Sequence, residues 1–153
     1  MKNCFVCDRI AIIKQNKNRF FVKELASGYI VLGDYQYYKG YTLLLSRFHT
    51  NELHKLKPKD RTQFLEDMAL VSEAVYKSFK PIKLNYELLG NTDSHLHWHI
   101  FPRYADDPNP GVPIWLVPPS VRTSAETIPS DAEIKLLKEK IVKEIDKLVK
   151  TKD

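Results

Sequence analysis

Between Ser94 and Tyr104 the chain reads SHLHWHIFPRY, and three of its five histidines stand there at alternate positions. Period two is the geometry of a β-strand, in which residues i, i+2 and i+4 share one face. His95, His97 and His99 are therefore expected side by side, roughly 7 Å apart at about 3.3 Å of rise per residue. Leu96, Trp98 and Ile100 face the other way and suit a core. Pro102 lacks an N–H, so regular pairing is expected to end there, with Arg103 just beyond. Three imidazoles on one strand face point to a metal site or a catalytic one.

The rest of the chain supplies the surroundings of that strand. Before Pro58 it reads mostly as short strands: RFFVKEL (19–25), YIVLGD (29–34) and GYTLLLS (40–46), with turn chemistry at Ser27-Gly28 and Lys39-Gly40. Between Asp60 and Lys80 the period lengthens. Phe64, Met68, Val71, Val75 and Phe79 fall on one helical face, and Pro81 ends the helix. LNYELL (84–89) then reads as a strand joined to the histidine strand by a turn at Gly90-Asn91, which predicts an antiparallel hairpin. A proline-rich segment follows, extended or looped. A second helix starts at Ser130, whose pairing with Glu133 has the form of a capping box. Its apolar face, Ile134, Leu137, Ile141, Ile145 and Leu148, must fold back on its own sheet or cover a partner chain. These elements predict an α+β fold: an antiparallel sheet, a long helix packed on it and an added C-terminal helix.

At 153 residues the chain fits one domain, able to bury about two thirds of its unfolded surface without a disulfide or cofactor to close the core. The formal charge of +5 is scattered, with no dense basic stripe, so no nucleic-acid partner is expected; a modest positive balance favours phosphate-bearing ligands. No apolar run approaches the ~20 residues of a membrane span, and MKNCFVCDRIAIIKQNK lacks the form of a secretory signal. A cytoplasmic protein with reduced cysteines is the expectation. Cys4 and Cys7 have a spacing that suits Zn²⁺, but two thiolates do not close a tetrahedral site; free thiols and a redox pair are the alternatives.

HLHWHIF resembles the His-φ-His-φ-His-φ-φ signature (φ apolar) of the histidine triad (HIT) superfamily of nucleotide hydrolases and transferases. CFVCDRI (4–10) looks like its amino-terminal Cys-x-x-Cys segment, KGYTLLLSRFH (39–49) resembles its Gly-His-x-L strand, and HIFPR its strand exit. The likeness spans about residues 4–104, so a HIT domain is placed at 1–110, the proline-rich segment at 111–129 and the last helix at 130–153. Tyr41 stands where the family usually has histidine, and Ser46-Arg47 where it has Pro-Lys. The connection before the triad is short, with Asn91 four residues ahead of His95.

The resemblance implies that His97 is the nucleophile. A neutral imidazole, with an ordinary pKa near ~6.5, attacks an α-phosphorus to form a nucleotidyl-histidine that water resolves. Its other nitrogen should donate to a carbonyl or carboxylate. His99 and Asn91 are the expected donors to the phosphoryl oxygens, Asp34 the expected ribose contact, and Phe5, Ile10 and Leu32 either line the base pocket or are ordinary core. The resemblance also completes the metal set: Cys4, Cys7, His49 and His95 would hold a structural zinc, with no catalytic metal required. His95 then has two competing roles, zinc ligand and catalytic donor, and the metal is favoured. The expected activity is hydrolysis at the α-phosphate of a purine nucleotide derivative, a dinucleoside polyphosphate ahead of a phosphoramidate, with a binding module of little turnover as the alternative. A homodimer is expected, with Trp115 reaching across it.

Overall fold

The first element is a helix rather than a strand. In a computed structural model describing residues 4–151, helix α1 covers Phe5–Lys14. Val6, Ile10 and Ile13 are buried along it, a spacing of four and three that the short-strand reading passes over. Cys4 caps it, its sulfur accepting from the Cys7 backbone N–H.

Five strands follow: β1 (Phe21–Glu24), β2 (Gly28–Leu32), β3 (Thr42–Ser46), β4 (Lys83–Glu87) and β5 (His97–Arg103). They form one antiparallel sheet in the order β1-β2-β3-β5-β4. Every residue of β2 and β3 is buried because both faces of the sheet are covered. Helices α2 (Pro58–Phe79) and α4 (Asp131–Lys150) cover one face. There Ile30, Leu32, Leu44 and Ile100 meet Phe64, Val71, Val75, Ile141 and Ile145. The other face carries α1, with Val6, Ile10 and Ile13 against Tyr29, Val31, Leu43 and Leu45. Register places Leu43 opposite His99 and Leu45 opposite His97, so both histidines lie on the α1 face, Trp98 and Ile100 on the other.

The long helix begins with a proline in its first turn and stops where Lys80 takes a left-handed φ of 50° before Pro81. The buried Asp67 ties it to the β1–β2 turn, its carboxylate accepting from the Ser27 backbone N–H and hydroxyl. Helix α4 has the expected capping box and returns onto its own chain, burying Ile134, Leu137, Ile141 and Ile145 against α2 and β1. Its apolar face therefore gives no argument for a partner. No described helix is long and apolar enough to cross a membrane.

Three local expectations change. Strand β5 runs through Pro102 to Arg103. The Arg103 carbonyl accepts from Ile82 on the β4 side, so the Pro102 nitrogen faces the β3 side, where pairing has already ended at Thr42–Ile100. The β4–β5 pair is antiparallel, as predicted, but residues 88–96 connect it, and His95 sits in a bend before the strand. The proline-rich segment is not simply extended: it holds turns at Ile114–Leu116 and Ala125–Thr127 and a short helix, α3 (Pro119–Arg122). It folds over the α1 side of the sheet, burying Ile114 with Tyr38 and Phe101.

Candidate active site and metal centre

The bend before β5 separates the triad into two environments. His95 is 1% exposed, and its Nε2–H donates to the Ser46 carbonyl at 2.8 Å. That donation leaves Nδ1 with a lone pair, facing Cys4 Sγ at 3.5 Å, Cys7 Sγ at 3.4 Å and His49 Nδ1 at 3.3 Å. Cys7 Sγ lies 3.2 Å from His49 Nδ1, and one donor atom from each of the four residues falls within 4.8 Å of the others. A tetrahedron with arms of about 2.1–2.3 Å has edges of about 3.4–3.8 Å, and two sulfurs with two imidazoles are a donor set that such a site uses. The four residues fit a metal ion. Burial, with Cys4 alongside, pushes the Cys7 thiol up to about 11, so a thiolate here calls for a neighbouring cation.

His97 makes the opposite choice of nitrogen. Its Nδ1–H donates to the His95 carbonyl at 2.6 Å, and Nε2 keeps the lone pair. Together with His99 it lines a cavity of about 280 Å³ beside α1. The two imidazoles stand edge to face, 4.6 Å apart. His99 Nδ1 is 2.7 Å from the Tyr41 hydroxyl. Burial, reinforced by His97, drives His99 down to about 3, and burial pushes the Tyr41 phenol far up. Both are neutral across the ordinary pH range, so one proton lies between them in each arrangement. Gly33 permits this pairing, since a Cβ there would lie 2.0 Å from the Tyr41 ring.

The remaining expected site residues divide. Phe5 and Asp34 line the cavity, and Asp34 is held by Arg9, whose Nη1 and Nη2 donate to its two oxygens at 3.1 and 2.5 Å. Leu32 does not reach it: the alternation of β2 turns Leu32 to the helix side, fully buried. Ile10 is packed between α1 and the sheet and is core as well. Asn91 is exposed and outside the lining, because the connection is longer than a tight turn; Asp93 faces the cavity instead. His95 likewise does not line it.

Several lining residues went unread in the sequence. Tyr41 was noted only as a departure, and Arg9 and Asp93 carried no signal by spacing. Trp115 packs edge to face on His99 and Phe101 of its own chain, at 5.4 and 5.9 Å, and donates from Nε1 to Glu87. Arg122 and Thr123 close the same wall. Arg103 holds this segment in place: 3% exposed, it donates to Asp107, Asn85 and the carbonyls of Asn109 and Val112.

Comparison with known proteins agrees with this geometry. A curated relative, Protein hit of Bacillus subtilis (strain 168), is 30% identical over 71 residues, covering 43% of this chain and 49% of the relative; the match thus spans about half the relative's length. Among solved structures, a hypothetical histidine triad nucleotide-binding protein of Sulfolobus tokodaii strain7 superposes with a TM-score of 0.71 at 22% identity, over 93% of each chain. A Zn-bound histidine triad family protein of Mycobacterium smegmatis gives a TM-score of 0.62 at 17% identity, over 92% of this chain and 94% of that one. These two likenesses concern the fold. The HIT domain model itself matches residues 14–106, and the chain belongs to the HIT domain family.

Proposed function

We propose that this protein is a nucleotidyl hydrolase that cuts purine nucleotide derivatives at the α-phosphate, a dinucleoside polyphosphate ahead of a phosphoramidate. The observation that carries the reading is the hydrogen bond from His97 Nδ1 to the His95 carbonyl, which leaves Nε2 unprotonated in the cavity. Nε2 attacks the α-phosphorus, the bond to the leaving group breaks with its electron pair going to the leaving group, and His97 becomes a nucleotidyl-imidazolium whose Nδ1–H stays on the carbonyl. Water then attacks phosphorus and gives up a proton to solvent, the P–N bond breaks, and a nucleoside monophosphate departs. Tyr41 donates to His99 Nδ1, so that His99 presents Nε2–H to the phosphoryl oxygens, where fixed donors stabilise developing charge. Asp34 meets the ribose hydroxyls and Phe5 the base.

Cys4, Cys7, His49 and His95 hold a structural zinc, which fastens α1 to the start of the catalytic strand. The zinc-bound relative supports the choice of ion, and a reduced thiol pair suits a cytoplasmic setting. His95 is on this reading a ligand and not a catalytic donor. The working form is a homodimer: β4 lies at the edge of the sheet, beside the exposed Tyr76, Ile82, Tyr86 and Leu89, and a second copy pairing there buries both edges. Tyr86→Lys should convert a sedimenting dimer to monomer.

The deciding experiment is a panel of diadenosine tetraphosphate, diadenosine triphosphate and adenosine phosphoramidate, with wild type and His97→Ala, resolved by product chromatography. AMP released by the wild type and not by the variant supports the reading. Turnover surviving in His97→Ala refutes the nucleophile assignment.

A further inference from the structure

The wall that the C-terminal segment adds to the cavity contains a cation with nothing to bind. Arg122 lines the cavity, its guanidinium carbon 4.9 Å from the centre of the Trp115 ring. Among the described residues the guanidinium makes no hydrogen bond and no ion pair, and its buried Nε finds no partner. Leaving a buried polar nitrogen unpartnered is costly, and natural proteins leave few such groups without a reason.

The other guanidinia nearby show the contrast. Arg103 spends its nitrogens on four acceptors that hold the segment. Arg9 also lines the cavity and has an unpartnered Nε, but its terminal nitrogens are committed to Asp34 and the Leu32 carbonyl. Arg122 alone of the three has its whole donor fork uncommitted. A guanidinium lying over an indole keeps its in-plane N–H groups available, and its fork matches two phosphate oxygens.

We propose that Arg122 binds the leaving group, so that this cavity favours nucleotides whose α-phosphate carries a further phosphate or polyphosphate. The inference rests on the hydrolase reading above and deepens it. In-line displacement places the leaving group opposite the attacking nitrogen. Trp115 packs on His99 and Phe101 and Arg122 on Trp115, so Arg122 shares the cavity with His97 and is separated from it by the His99 and Trp115 rings, which on our proposal leaves room between them for an α-phosphate with the leaving group on the Arg122 side. An amine leaving group offers that fork no anionic oxygen. A polyphosphate offers several, and pairing with Arg122 stabilises the charge it acquires as the bond breaks.

The test measures affinities in the His97→Ala protein, where nothing turns over, for AMP and for ATP with and without Arg122→Met. Methionine keeps an apolar stem on Trp115. The ratio of ATP to AMP affinity should fall roughly tenfold or more, as for loss of a charge-assisted hydrogen bond, and Arg122→Lys should restore part of it. In proteins with His97 intact, selectivity for diadenosine tetraphosphate over adenosine phosphoramidate should fall with the same variant. An unchanged ratio, or an equal loss for both ligands, overturns the inference and leaves Arg122 a packing residue. Failure of the His97→Ala protein to bind AMP at all overturns the hydrolase reading and this inference with it, so the two failures are told apart.

Discussion

His95 and His97 are two residues apart, and each donates one ring N–H to a backbone carbonyl, yet they donate from opposite nitrogens. His95 gives Nε2–H to Ser46 and turns Nδ1 toward two sulfurs. His97 gives Nδ1–H to the His95 carbonyl and turns Nε2 into the cavity. On the proposed reading, the same side chain thus serves as a metal ligand or as a nucleophile according to which nitrogen the main chain occupies. The bend at residue 95 makes the difference, because it frees the His95 carbonyl to serve the neighbouring imidazole.

Alanine at each position gives the widest separation of the two roles. His97→Ala should lose roughly a thousandfold or more in turnover, as when a covalent nucleophile is removed, with thermal stability and metal content unchanged. His95→Ala should do the reverse, losing its equivalent of zinc and lowering the melting temperature by about 5 °C or more, as should Cys7→Ser. Metal analysis and thermal melts on both proteins check this, and zinc-free protein of unchanged stability breaks the comparison.

A smaller effect is expected at the next histidine along. Gly33→Ala pushes the Tyr41 ring off its place, removing the hydroxyl from His99, and should lower kcat by about tenfold to a hundredfold through misplacement alone. Tyr41→Phe should reproduce the loss without the steric change. Kinetics in which both variants match the wild type would leave His99 without a positioning partner.

A separate test is of stability against pH. His99 is held near 3 when folded and returns to its ordinary value, near ~6.5, when unfolded. Below ~6.5 the unfolded chain takes up a proton that the folded chain refuses, so stability is full above that pH and is lost as the pH falls toward 3, by up to about 1.4 kcal/mol per unit. Denaturant melts of wild type and His99→Asn should diverge across that window, the variant showing the shallower slope.

What the sequence disclosed follows from which contacts are local. Alternation fixed the faces of Leu96, Trp98 and Ile100, and helical spacing found α2 and α4, because those patterns repeat within one element. The α1 helix escaped notice because only Val6, Ile10 and Ile13 mark its buried face, in a stretch opened by two cysteines already read as ligands. Leu32 was left open between pocket and core for a related reason: in a strand buried on both sides, hydrophobicity cannot say which face a residue takes. Asn91 was assigned by counting back from His95, which works along a strand and fails across an irregular connection. Trp115 and Arg122 reach the cavity through the fold-back of the segment after Arg103, and no local pattern encodes that return.

The anchoring of that segment has a consequence for how it moves. Arg103 belongs to the strand that carries His97 and His99, and its buried fork grips Asn85, Asp107 and the carbonyls of Asn109 and Val112 at once. These contacts release together or not at all, so the start of the segment has no route to opening by gradual fraying. The backbone N–H groups of Asp107 and Val112, which are hydrogen-bonded within the segment, should accordingly exchange with solvent in step with the strand, and the chain leading to the cavity wall stays anchored for as long as the sheet beneath it stays folded.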